Sequence, residues 1–170
     1  IGRIIASGIK RISVSLDGPD ELTHEGIRQV PGAFKQALEG IERSKNSGLE
    51  FQINSTISAR NIKLLPEMIK LAESLGAQAH HIFLLVPTGR AKEMVGEELS
   101  AQEYEEALKF LAAEKKRSGL EIKVTCAPHF NRILLQGHGA EAASLRGRGG
   151  MAGVSFCFIS HTGELQPCGY

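Results

Sequence analysis

The sequence predicts an α/β protein built on a parallel sheet. Three observations predict it. Short segments alternate apolar and polar residues with the two-residue period of a strand, the segments between them place apolar residues at helical spacing, and this strand-then-helix unit recurs every ~35–40 residues. Consecutive parallel strands need a long crossover, which the helical segments supply.

The elements follow in chain order. Residues 10–17 set Ile12, Val14 and Leu16 on one face and Ser13, Ser15 and Asp17 on the other, and a turn is expected at Gly18-Pro19. Over residues 31–47 Phe34, Leu38 and Ile41 recur at helical spacing, with Gly48 as the left-handed stop. A second strand, residues 50–58, alternates Phe51, Ile53 and Ile57 with Gln52, Asn54 and Thr56; a helix starting at Pro66 and ending at Gly76 follows. Residues 81–86 read as a third strand. Ser100 and Glu103 form a capping box for a helix carrying Tyr104, Leu108 and Leu111, which stops at Ser118-Gly119 before a fourth strand at residues 121–125.

Composition excludes several classes. The 170 residues are 42% hydrophobic, enough for a real core, and a formal net charge of +1 gives no field that calls for nucleic acid or a membrane surface. No apolar run reaches the ~18 residues of a membrane span, and the first residues lack the pattern of a secretory signal. Three cysteines, an odd count, fit free thiols or metal ligands in a reducing cytoplasm better than a disulfide framework. The chain opens on Ile1 without Met and closes on Cys168-Gly169-Tyr170, so the expectation is part of a longer protein.

The polar strand faces bear on closed barrel versus open sheet. Ser13, Ser15, Asp17, Gln52, Asn54 and Thr56 would line an interior with hydrogen-bonding groups, which suits a wide, partly open barrel around a polar cofactor. A sheet with one solvated face would read the same way.

The run Arg11-Ile-Ser-Val-Ser-Leu-Asp17-Gly-Pro, followed by His24, Arg28 and Gly32-Ala-Phe, resembles the fourth strand and loop of radical S-adenosylmethionine enzymes with a SPASM extension. Gln52 to Ile57 with Asn61 resembles that family's fifth strand, and Phe83 to Ala91, ending Pro-Thr-Gly-Arg-Ala, its sixth. Residues 149–170, with Cys157, His161, Gly163 and Cys168, are similar to the haem and haem-d1 biosynthesis branch, whose members remove or oxidise tetrapyrrole propionates. The resemblance implies residues 1–119 as the C-terminal half of a partial (β/α) barrel, and residues 120–170 as a linker and the start of a SPASM-like auxiliary iron–sulfur region. It further implies a [4Fe–4S] cluster that reduces S-adenosylmethionine to a 5′-deoxyadenosyl radical. The Cys-x3-Cys-x2-Cys that binds this cluster in the family occurs nowhere in the sequence, so these residues alone are expected to be inactive and to bind no cofactor.

By the same resemblance Ser15 and Arg28 would contact the ribose and carboxylate of S-adenosylmethionine, a guanidinium fork being suited to a carboxylate. Asp17, Asn54, Thr56 and Arg90 complete the cofactor-binding candidates, Arg90 following Thr88-Gly89 where backbone amides could hold an anion such as a propionate. The bland readings are a solvated loop charge for Arg28, a strand-end hydroxyl for Ser15, a turn-forming aspartate for Asp17 and a surface loop at residues 88–90. The six histidines show no metal-ligand spacing, and each alone reads as a surface or capped imidazole; His161 is singled out only by its place in the closing motif.

Cys168, Cys157 and Cys126 are the metal candidates. Gly163-Glu-Leu-Gln-Pro-Cys168 fits the second half of the opening SPASM pattern, whereas the first cysteine position falls near Met151; Cys157 or Cys126 would serve instead, or the branch binds its auxiliary cluster differently. Ordinary hairpin thiols and a structural zinc site are the alternatives. The expected function is that of part of a radical enzyme acting on tetrapyrrole propionates. A SPASM peptide maturase and a non-catalytic small-molecule-binding module are the rivals. A first strand without its preceding neighbour leaves an open edge, from which self-association as a dimer is expected.

Overall fold

A computed structural model of the chain describes residues 1–138, 153–154 and 157–167. Four strands, β1 (Arg11–Ser15), β2 (Glu50–Ile57), β3 (Ala79–Leu84) and β4 (Glu121–Thr125), form one sheet in the order β1-β2-β3-β4, every pair parallel. The connections carry α2 (Glu21–Arg28) and α3 (Ala33–Asn46), then α4 (Leu65–Leu75), then α5 (Ala101–Arg117); α1 (Gly2–Ala6) precedes the sheet and α6 (Phe130–His138) follows it. β5 (Phe158–Ile159) and β6 (Leu165–Gln166) make a separate antiparallel hairpin.

One face of the sheet holds the core. Phe51, Ile53 and Ile57 of β2, Ile82 and Leu84 of β3 and Ile122 of β4 are buried in a single cluster with Ile41 of α3, Ile69 of α4, Leu108 and Leu111 of α5, and Leu134 of α6. The helices thus lie on one side of the sheet, as in a barrel wall, rather than on both. The other face carries the polar set. There Arg11 of β1 pairs with Glu50 of β2 at 2.9 Å and reaches Glu121 of β4 at 3.5 Å. β1 and β4 would stand about 14 Å apart in a flat sheet, three strand spacings, so this pair across the trough fits a sheet curled around its polar face.

The expected capping box at Ser100 and Glu103 is present, and helix α4 ends on Gly76 in the left-handed conformation, φ +79°. Other elements differ from the sequence reading. The third strand is Ala79–Leu84 rather than residues 81–86, because His80 is fully buried on the core face and belongs to the ladder. Residues 20–28, read as turn and loop, contain α2, capped by Asp20, which accepts from the Thr23 amide at 2.8 Å. Gly18 is required by the close approach of this helix: a Cβ there would lie 2.5 Å from Thr23 Cβ. Of residues 88–90, read as an anion-holding or a surface loop, Gly89 and Arg90 open the 3₁₀ segment Gly89–Glu97, and Leu85–Thr88 separate it from β3.

Candidate functional site

The carboxyl ends of β1 to β3 open into a cleft of about 580 Å3, lined by Asp17, Ile27, Arg28, Gln29, Thr56, Leu85, Thr88, Ala91 and Met94. Its size is that of a small-molecule site, roughly 300–1,000 Å3. α2 forms one wall and the 3₁₀ segment the other.

Asp17 organises it. The carboxylate is 1% exposed; Oδ1 accepts from the Thr56 amide at 2.8 Å and Oδ2 pairs with Arg28 Nε. The Asp17 amide donates to His24 Nδ1 at 3.0 Å, and its carbonyl accepts from Asn61 Nδ2 at 2.8 Å. Asn61 also donates to the Thr56 carbonyl and accepts from the Ser58 amide, so one amide side chain ties the end of β2 to the end of β1. His24 is buried against Phe34, ring centroids 5.8 Å apart, and burial, with Arg28 adding and Asp17 opposing, lowers its pKa. Its neutral form is the one that can accept from Asp17. The network fixes Arg28 through Nε alone, leaving its terminal nitrogens without a partner among the described residues while the side chain lines the cleft. A guanidinium held from behind in this way offers its outer edge to an anion.

Asp17, Arg28 and Thr56 are thus brought to one cleft. Arg28 sits at the end of α2, tied to a buried carboxylate instead of being a free loop charge, and Asp17 bridges two strands rather than only shaping a turn. Ser15 and Asn54 face each other one step down the polar face. Arg90 lies in the backbone between Thr88 and Ala91, both of which line the cleft. Cys126 closes β4 in a left-handed conformation, φ 62°, its carbonyl held by the Tyr104 hydroxyl at 2.6 Å; Cys157 is exposed just before β5. His161 is exposed on the hairpin turn, where Gly163 has φ +86°. Cys168 and Met151 lie outside the described residues. Among the described residues no group of three or more His, Cys, Asp or Glu converges to hold a metal.

Sequence reading missed His24 as a buried partner of Asp17, the cleft wall residues Gln29 and Met94, and His81 on the polar face. His81 carried no signal, since one of a His-His pair looks alike whether buried or not, and His24 was marked only by its place in the run that carries the resemblance. Asp20-x-x-Thr23 was the trace of α2 that could have been followed.

A curled parallel sheet with helices on one side and a polar site at its carboxyl end is a partial (β/α) barrel. SuiB of Streptococcus suis, solved with its precursor peptide SuiA, shares this fold at TM-score 0.68 over 93% of the chain and 36% of that structure, with 10% identity. anSMEcpe, solved with bound AdoMet and a peptide, shares it at TM-score 0.65 over 98% of the chain and 46% of that structure, with 17% identity. No model of a known protein family matches the chain.

Sequence similarity specifies the branch. The chain is 46% identical over 177 residues to the AdoMet-dependent heme synthase of Nitratidesulfovibrio vulgaris and 40% identical over 182 residues to that of Methanosarcina barkeri, covering 99% and 100% of itself. Over 116 residues it is 30% identical to the pre-heme d1 synthase of Dinoroseobacter shibae. It belongs to the haem and haem-d1 branch of the radical S-adenosylmethionine family. It spans about half the length of the heme synthases it matches, 48% and 51%.

Proposed function

We propose that the chain is part of a radical S-adenosylmethionine enzyme of tetrapyrrole biosynthesis that acts on propionate side chains, in the cytoplasm. The Asp17–Arg28 pair in the cleft carries this reading, and the 40–46% identity to heme synthases supports it over a peptide maturase, whose solved fold relatives stand at 10% and 17%. S-adenosylmethionine with its reduced cluster would supply one-electron hydrogen-abstraction chemistry; these residues bind, orient and exclude water. In this proposal Arg28 takes the cofactor's carboxylate, Asp17 holds Arg28, Thr56 lines the cleft beside them, and Ser15, Asn54 and Arg90 flank it. Residues 1–119 form the barrel part, and residues 120–170 lead into the SPASM-like part, β4 remaining paired to the barrel sheet. Cys126, Cys157 and Cys168 would serve an auxiliary cluster there. Residues 1–170 contain no Cys-x3-Cys-x2-Cys, so the radical-generating cluster is not theirs to hold, and by themselves they would be inactive. β1 forms an edge of the sheet, where a second copy would add to make the dimer.

The test is Arg28→Ala in the whole protein, reading S-adenosylmethionine affinity and iron content. A charge-assisted contact of about 1.5–3 kcal/mol predicts roughly ten- to hundredfold weaker binding with iron unchanged. Unaltered affinity would move the cofactor out of this cleft.

A further inference from the structure

The parallel register lines up side chains from all four strands across the polar face: Ser15 faces Asn54, Asn54 faces His81, and His81 faces Lys123. With strands about 4.8 Å apart, these form a continuous ledge roughly 14 Å long. It runs one step below the cleft, and none of its four members lines the cleft.

The ledge is rich in donors. Asn54 Oδ1 already accepts from Gln52 Nε2 at 3.0 Å, which leaves the Asn54 amide nitrogen as a donor with no partner among the described residues. His81 is held in place from two sides, Nε2 lying 2.5 Å from Thr125 Oγ1 and the ring lying on Phe83 with centroids 4.2 Å apart. Its Nδ1 has no partner among the described residues. Lys123 is half-buried and pairs only loosely, at 3.4 Å, with Glu121, a carboxylate that Arg11 also approaches. The nearby acids, Glu50 and Glu121, lie at the foot of the face, where Arg11 and Lys123 together balance them, and the ledge itself contains none.

We infer that this ledge is a carboxylate-binding subsite, in which His81 and Lys123 hold an anionic group of the substrate while Asn54 marks the boundary with the cofactor cleft. The subsite requires the tautomer in which Thr125 Oγ1 donates to His81 Nε2 and Nδ1 carries the hydrogen a carboxylate accepts; Lys123 supplies the charge. Burial and the Lys123 ammonium both lower the pKa of His81, which keeps the free imidazole in this neutral form. The inference rests on the tetrapyrrole reading for its substrate, whose carboxylate side chains would occupy the ledge.

Two probes separate the two ideas: a free-base porphyrin tetracarboxylate and its tetramethyl ester, titrated by fluorescence into the whole protein. The acid should bind more tightly than the ester. Lys123→Met and His81→Phe should each weaken the acid roughly tenfold or more without moving the ester, and Lys123→Arg should retain acid binding. S-adenosylmethionine affinity should stay unchanged in all three, reporting an intact cleft. If both porphyrins bind but Lys123→Met leaves the acid-to-ester ratio as it was, the ledge is not the subsite and the tetrapyrrole reading stands. If neither binds the wild-type protein, the tetrapyrrole reading falls and the subsite with it.

Discussion

His80 and His81 are neighbours in the chain and occupy opposite faces of one sheet. His80 lies on the core face, fully buried; its Nε2 sits 2.8 Å from Ser55 Oγ, which donates to the Leu16 carbonyl, and its Nδ1 is buried without a partner among the described residues. His81, on the polar face, is half-buried beside Asn54 and Lys123, with one nitrogen held and the other open. Burial, with a smaller contribution from His81, pulls the pKa of His80 down to about 4. The contrast shows how a two-residue period divides labour: the same side chain is a structural liability on one face and a chemical resource on the other.

Stability should divide along the same line. Ile82→Ala, on the core face of the strand that carries both histidines, should cost about 2–5 kcal/mol in urea unfolding, since Ile82 is fully buried and the cavity would be ringed by packed side chains. A loss below 1 kcal/mol would mean that the helices do not seal this face.

Acid should find His80 next. Its folded pKa of about 4 lies below the ordinary 6.5, so the unfolded chain takes up the proton first. The stability contributed by neutral His80 is whole above pH 6.5 and drains away as the pH falls towards 4, by roughly 3 kcal/mol at about 1.36 kcal/mol per pH unit. His80→Gln, which can keep a bond to Ser55, should flatten this slope in a pH series of denaturation curves. An unchanged slope would hand the acid sensitivity to His24, whose pKa burial also lowers.

The smallest effect belongs to the polar face. Ser13→Ala, at an exposed position on the edge strand, should shift the unfolding free energy by less than about 0.5 kcal/mol. A larger loss would show that this face is packed against something in the whole protein.

Where the sequence was legible, local chemistry and tertiary structure agreed. The strand at residues 121–125 was read to the residue because Ser118-Gly119 marks its start. Gly48 and Gly76 mark helix ends because their left-handed φ, +70° and +79°, suits glycine. The polar alternation on the first two strands also placed Asp17 and Thr56 on one face. α2 was lost because it buries only His24 and has just two apolar residues, Leu22 and Ile27, five positions apart; its stability comes from the Asp20 cap and from ties to Asp17, which no periodicity displays. The shift of β3 has the mirror cause, since His80 looks like a surface residue until Ser55 is found beneath it. The cleft's far wall belongs to the same class, for the 3₁₀ segment is anchored by the Ala59 amide donating to the Glu97 carbonyl at 2.9 Å and by the Arg60–Glu97 ion pair.

Strand order in the sheet equals strand order in the chain. During synthesis, which runs at about 5–20 residues per second, each new strand would emerge a few seconds after its neighbour and meet an edge already laid down. Among the described residues no strand of this sheet has to wait for a distant partner or insert between two others, so these four can be added on the ribosome one strand and helix at a time, each copied outward from the one before.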